Sequence, residues 1–94
     1  MSALFVLVTA LASEPALAGV EQGDEYICRN GAMERRIQVI YPQGAPLPCE
    51  VHYVKGSDSK VLWRAQNEAG YCETKAQEFA AKQESLYFPC EKNQ

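Results

Sequence analysis

Apolar and polar positions change their rhythm several times along the chain. Residues 2–12 are an unbroken apolar run without a charge, and residues 19–25 are a polar lead-in. From Tyr26 onward come short segments in which β-branched and aromatic residues concentrate or alternate with polar ones: 26–29, 35–41, 49–55 and 61–66. Period-two alternation of that kind predicts strands. Asn30-Gly31 between the first two is a strong two-residue hairpin signal. Pro42, Pro46 and Pro48 end the second, since proline cannot donate to a ladder. Gly56-Ser57-Asp58-Ser59 turns the chain after the third.

The period lengthens after Asn67. Ala69, Cys72, Ala76, Phe79, Ala80 and Gln83 recur at helical spacing, with good helix formers between them. Asn67 is the expected N-cap, the helix is expected to end near Ser85, and residues 86–90 return as an extended tail. The predicted architecture is α+β: a four-stranded antiparallel meander with one C-terminal helix packed on one face, stapled by two disulfides.

Register follows from asking which side chains share a face. A turn at Asn30-Gly31 sets Cys28 opposite Met33, so Tyr26, Cys28, Met33, Ile37, Val39 and Tyr41 point one way. Tyr41 opposite Cys49 adds Val51 and Tyr53, and Tyr53 opposite Val61 adds Trp63 and Ala65. This face is apolar or aromatic except for Arg35, and Trp63 is expected at the centre of the core. Arg36, Gln38, Ile40, Glu50, His52, Val54, Leu62 and Arg64 then point outward, with Glu50 opposite Arg64 as a favourable cross-strand pair. Tyr71, Tyr87 and Phe88 are the expected exposed aromatics.

Several features predict export. The apolar run ends in Ala16-Leu17-Ala18 before Gly19, the pattern of a secretory signal too short to span a bilayer. Residues 1–18 are therefore expected to be a cleaved signal peptide and 19–94 a single domain. No Lys or Arg precedes the run, as expected for a translation start further upstream, and Gly19 stands where lipidation would require cysteine. The mature chain of 76 residues carries 11 acidic against nine basic side chains once Glu14 has gone. So near a balance argues against nucleic acid, which wants a basic excess, and nothing in it could span a membrane. The mature product is expected to be soluble.

All four cysteines fall in the mature part, and an even count after a signal peptide predicts disulfides. No two are closer than 18 residues and there is one histidine, which is poor spacing for zinc. Four cysteines allow three connectivities. The fourth strand runs back to the start of the third, which brings Cys72 at the helix start beside Cys49. The helix then carries the chain to the opposite end, where Cys28 lies, so the expected pairs are Cys28–Cys90 and Cys49–Cys72. Cys72–Cys90 is the rival, since the extended tail could retrace the helix.

No catalytic set is legible. Catalysis needs a nucleophile, an acid–base pair or a metal held in place. His52 falls mid-strand on the outward face, where a half-exposed sheet residue is the plainer account. Ser57 and Ser59 lie in a turn without a histidine to activate them, and paired cysteines leave no thiolate. Arg35 and Arg36 point to opposite faces. No metal or cofactor is expected, and the chain is not expected to be an enzyme.

The pattern of Tyr26-Ile27-Cys28-Arg29-Asn30-Gly31, Glu34-Arg35-Arg36-Ile37, Pro48-Cys49-Glu50-Val51, Leu62-Trp63-Arg64-Ala65-Gln66-Asn67-Glu68 and Gly70-Tyr71-Cys72-Glu73, with Cys90, resembles a family of small exported four-cysteine proteins of Gram-negative bacteria. The resemblance covers 26–90 and implies a periplasmic location, without an activity or binding residues to carry over. Size and disulfides also resemble periplasmic lysozyme inhibitors, whose Ser-Gly-x-x-Tyr-type loop is absent here.

The functional expectation is a periplasmic, non-catalytic binding module, of which a hydrolase inhibitor is one form. Its candidate partner surface is Arg36, Ile40, His52, Val54, Leu62 and Arg64, facing another envelope protein. The alternative is a structural or assembly factor of the envelope, acting as an oligomer or accessory subunit.

Overall fold

In the computed structural model, which describes residues 19–93, the first hairpin is built from β1 (Glu21–Asn30) and β2 (Met33–Tyr41). The segment 1–18, read as a signal peptide, lies outside the described residues. Gly31 takes φ 61°, a left-handed conformation open to glycine, so the turn is Gly31-Ala32 and Asn30 faces Met33. Cys28 consequently faces Arg35 rather than Met33. The slip is even, so every side chain keeps its expected face.

β1 begins in what reads as a polar lead-in, and its register shifts between Gln22 and Glu25. Gly23 sits in that irregularity beneath the Tyr41 ring. A Cβ there would lie 2.5 Å from Tyr41 Cε2, so any larger residue would have to displace the Tyr41 ring.

β3 (Cys49–Lys55) and β4 (Asp58–Ala65) continue the antiparallel meander. The pairing of β4 departs from expectation at one point. Val51 faces Trp63 but His52 faces Val61, leaving Leu62 as a bulged extra residue. Lys60, not Val61, therefore stands opposite Tyr53.

The helix, α1, covers Tyr71–Ser85. Its N-cap is Gly70 rather than Asn67: Gly70 at φ 86° reverses the chain, and its carbonyl accepts the Thr74 N–H at 3.0 Å. At the other end Phe88 N–H donates to Gln83 O at 2.9 Å and Tyr87 N–H to Glu84 O at 3.0 Å. These two bonds make a Schellman motif, whose left-handed position usually belongs to glycine. Here Tyr87 occupies it, at φ 69° and 81% exposed.

A fifth strand, β5 (Cys90–Asn93), corrects the expected four. The tail pairs antiparallel with the free edge of β1, Cys90 opposite Cys28 and Lys92 opposite Tyr26, giving the order β4-β3-β2-β1-β5. Cys-Glu-Lys-Asn has no apolar alternation to announce a strand. Pairing with β1 and the covalent tie to Cys28 hold it there.

The core lies between one sheet face and α1. Tyr26, Cys28, Ile37, Val39, Cys49 and Val51 come from the sheet, and Cys72, Ala76 and Ala80 from the helix, with Phe88 beyond its end. Small helical residues let the backbone lie close. Phe79 fills the gap near β4, its ring edge-on to Tyr53 at 4.9 Å and to Trp63 at 5.7 Å. Trp63, expected at the centre, is half-buried at the margin because β4 is an edge strand. Phe88, expected exposed, is buried under the Arg35 guanidinium, 3.8 Å from the ring centroid. Disulfides join Cys28 to Cys90 and Cys49 to Cys72. No helix among the described residues is long and apolar enough to cross a membrane.

The strain at Tyr87 is directly measurable. A non-glycine residue in this conformation costs about 1 kcal/mol, and the exposed ring returns little of it. Tyr87→Gly is expected to raise the thermal midpoint by several degrees; an unchanged or lower midpoint would show that the side chain makes compensating contacts.

Candidate functional site

Among the described residues the helix covers one face of the sheet and nothing covers the other. Register places Arg36 opposite Val54, Gln38 opposite His52, Ile40 opposite Glu50 and Glu50 opposite Arg64, all facing away from the helix. The bulge sets Leu62 beside this group. Of the six candidate residues only Arg64 is well exposed; the others are half-buried among their neighbours.

Two charge networks organise the surface. The first centres on Glu25, a carboxylate only 7% exposed. Its Oε2 accepts from Gln38 Nε2 at 3.1 Å and from Arg36 Nη1 at 3.3 Å, and its Oε1 from Asn93 Nδ2 at 3.2 Å. Arg36 Nε also donates to Glu34 Oε2 at 2.8 Å, and Glu34 Oε1 accepts from Arg29 Nε at 3.3 Å. In the second network Glu50 Oε1 lies 2.7 Å from His52 Nε2, while its Oε2 accepts from Arg64 Nε at 3.3 Å. Every arginine on this face thus meets a carboxylate of its own chain.

These contacts set the electrostatics. Burial works against the charge on Glu25, but hydrogen bonds from Gln38, Asn93 and Arg36 outweigh it and hold its carboxyl below the usual range. Glu34 is lowered chiefly by its hydrogen bond from Arg36, and Glu50 by its bond with His52. Arg36 is pushed up, mainly by Glu34.

Glu25, Glu34 and Asn93 belong to this candidate surface and were not among the residues expected there. Glu25 lay in the polar lead-in, and Asn93 in the tail. Extending the first strand backward by parity puts Glu25 on the outward face, opposite Arg36 in the expected register and opposite Gln38 in the observed one.

What the arrangement can do chemically is hold a patterned, rigid surface. A carboxylate–imidazole pair such as Glu50–His52 is the orienting half of a hydrolytic triad. No cysteine is free to complete it, and Ser59, on the same face opposite Val54, makes no hydrogen bond to His52. Among the described residues no three His, Cys, Asp or Glu side chains gather as metal ligands. Between the charge networks, Ile27, Ile40, Val54, Val61 and Leu62 show partly exposed apolar surface. Comparison with family models, with curated proteins and with solved structures gives no match.

On the inner face, near the start of α1, Tyr41 Oη donates a hydrogen bond to Glu73 Oε2. Burial, reinforced by the Glu73 carboxylate, pushes the phenol well above its ordinary value. Glu73 Oε1 is buried without a hydrogen-bond partner.

Carboxyl groups lowered in the folded state stabilise it above the ordinary carboxylate range, and that contribution is lost as pH falls through their folded-state values. Glu25→Gln removes one such group and leaves three donors poorly matched. It is expected to cost about 1–3 kcal/mol near neutral pH and to flatten the acid limb of stability against pH. Chemical denaturation across pH measures both; an acid limb as steep as the wild type's would show that Glu25 takes no part.

Proposed function

We propose that this chain is a non-catalytic, disulfide-stapled binding module of the cell envelope, meeting a partner protein through its bare sheet face. One observation carries the reading: among the described residues a complete face of a five-stranded sheet stays uncovered, with apolar side chains set between pre-organised charge networks. Apolar centres with polar surroundings suit protein recognition. Charges already satisfied within the chain favour specificity over raw attraction, because a partner must match their pattern. The disulfides and the resemblance to exported Gram-negative proteins support a periplasmic setting, reached through a signal peptide. Inhibition of an envelope hydrolase is one form such binding takes.

A second reading is an oligomeric structural or assembly factor. Both signs of charge stand side by side on this face, as in Glu34 with Arg36 and Glu50 with Arg64. Such a pattern can be self-complementary in a two-fold contact.

Val54→Glu and Leu62→Glu test both readings; both side chains are half-buried, so thermal denaturation of each variant first establishes that the fold is kept. Immobilised wild-type protein is expected to retain an envelope protein from a periplasmic extract that either variant loses. Retention of the same proteins by both variants would overturn the reading. Concentration-dependent self-association in light scattering, abolished by the same variants, would establish the oligomer instead.

A further inference from the structure

The end of the molecule away from the Cys49–Cys72 bridge gathers features that the bare face does not use. Among the described residues four large hydrophobic side chains are exposed, and three of them, Met33 at 58%, Leu86 at 51% and Tyr87 at 81%, belong to this end. Asn30 ties them together: it stands opposite Met33 across the first turn, and its Nδ2 donates to Tyr87 O at 2.8 Å. The chain thus spends backbone strain to fix an exposed tyrosine beside an exposed methionine.

Positive charge adjoins this apolar group. Arg35 lies on the helix-side face of β2, directly opposite Lys55, and Lys60 lies on the same face opposite Tyr53. Like charges directly opposite on a sheet are destabilising. On the bare face Arg29, Arg36 and Arg64 each have a carboxylate within 4.0 Å, yet among the described residues none of Arg35, Lys55 and Lys60 does. Asp58, opposite Lys55, makes no ion pair with it. Arg35 is also held rigid: Nη1 donates to buried Gln83 Oε1 at 2.7 Å and the guanidinium stacks on Phe88. Most of its N–H donors remain free. A cavity of about 100 Å³ lies between Tyr53, Lys55, Asp58 and Lys60, and a cleft of about 340 Å³ runs past Met33, Arg35 and Lys55. A chain of net charge −3 has concentrated unpaired cations in one place.

We infer that this end is a second docking site, and that it takes an acidic segment of a partner protein bearing apolar anchors. Tyr87, Met33 and Leu86 receive the apolar side chains, and Arg35, Lys55 and Lys60 receive the carboxylates. Tyrosine, methionine and arginine are the residue types enriched at such contacts. A symmetric contact with a second copy would set cations against cations.

The test is fluorescence anisotropy of a labelled peptide of alternating Glu and Leu, with a Lys and Leu peptide as the charge-reversed control. The acidic peptide is expected to bind at least about tenfold more tightly than its control. The double variant Lys55→Glu/Lys60→Glu and, separately, Tyr87→Ala should each weaken it by about tenfold or more. Gln66→Glu, exposed at the opposite end beside the Cys49–Cys72 bridge, should leave it unchanged, and none of these variants touches the bare face, so this test stands or falls apart from that reading. Equal binding of the two peptides, binding retained by both variants, or tighter binding to vesicles of anionic phospholipid than to the acidic peptide would overturn the inference.

Discussion

Two covalent ties decide how the helix can lie. Cys49–Cys72 fixes the first turn of α1 to the start of β3, and Cys28–Cys90 fixes the chain beyond α1 to β1. Between them the helix offers the sheet little apolar bulk, since its buried positions are Cys72, Ala76, Ala80 and Gln83. Small side chains bring the backbone close but bury modest area, so packing alone would hold the helix weakly. On a chain-entropy account each bridge contributes about 3–4 kcal/mol, less because one loop is nested in the other. The core, the fifth strand and the bareness of the second face all follow from that placement.

From the alternation of Tyr26, Cys28, Ile37, Val39, Val51 and Trp63, the antiparallel meander and its inner face were legible. So was the helix, from the recurrence of Cys72, Ala76 and Ala80. What escaped notice has physical reasons. β5 is four residues long, Cys90 and three polar ones, and it is a strand only because β1 offers an unpaired edge. The bulge at Leu62 leaves no mark on local composition, because it answers to packing across the sheet. Asn67 is a good cap by propensity, but Gly70 reverses the chain and starts the helix.

The outward face shows a similar division. Parity alone set Arg36, Ile40, His52, Val54 and Arg64 on one side. It anticipated the Glu50–Arg64 pair but not the network around Arg36, because Glu25 and Asn93 come from segments without a strand pattern. A face whose arginines are all engaged differs in kind from the opposite end, where among the described residues Arg35, Lys55 and Lys60 make no ion pair although Glu34 and Asp58 lie nearby. The two proposals accordingly call for partners of different chemistry, one matched in pattern and one acidic.

Amide hydrogen exchange on the wild type and on the Cys49→Ala/Cys72→Ala variant tests the central claim most directly. If the bridge is what holds α1 to the sheet, amides from Thr74 to Ser85 will lose protection in the variant while the paired amides of β1, β2 and β3 keep theirs. Helix amides as well protected as in the wild type would contradict the account and assign the docking of α1 to its side-chain packing.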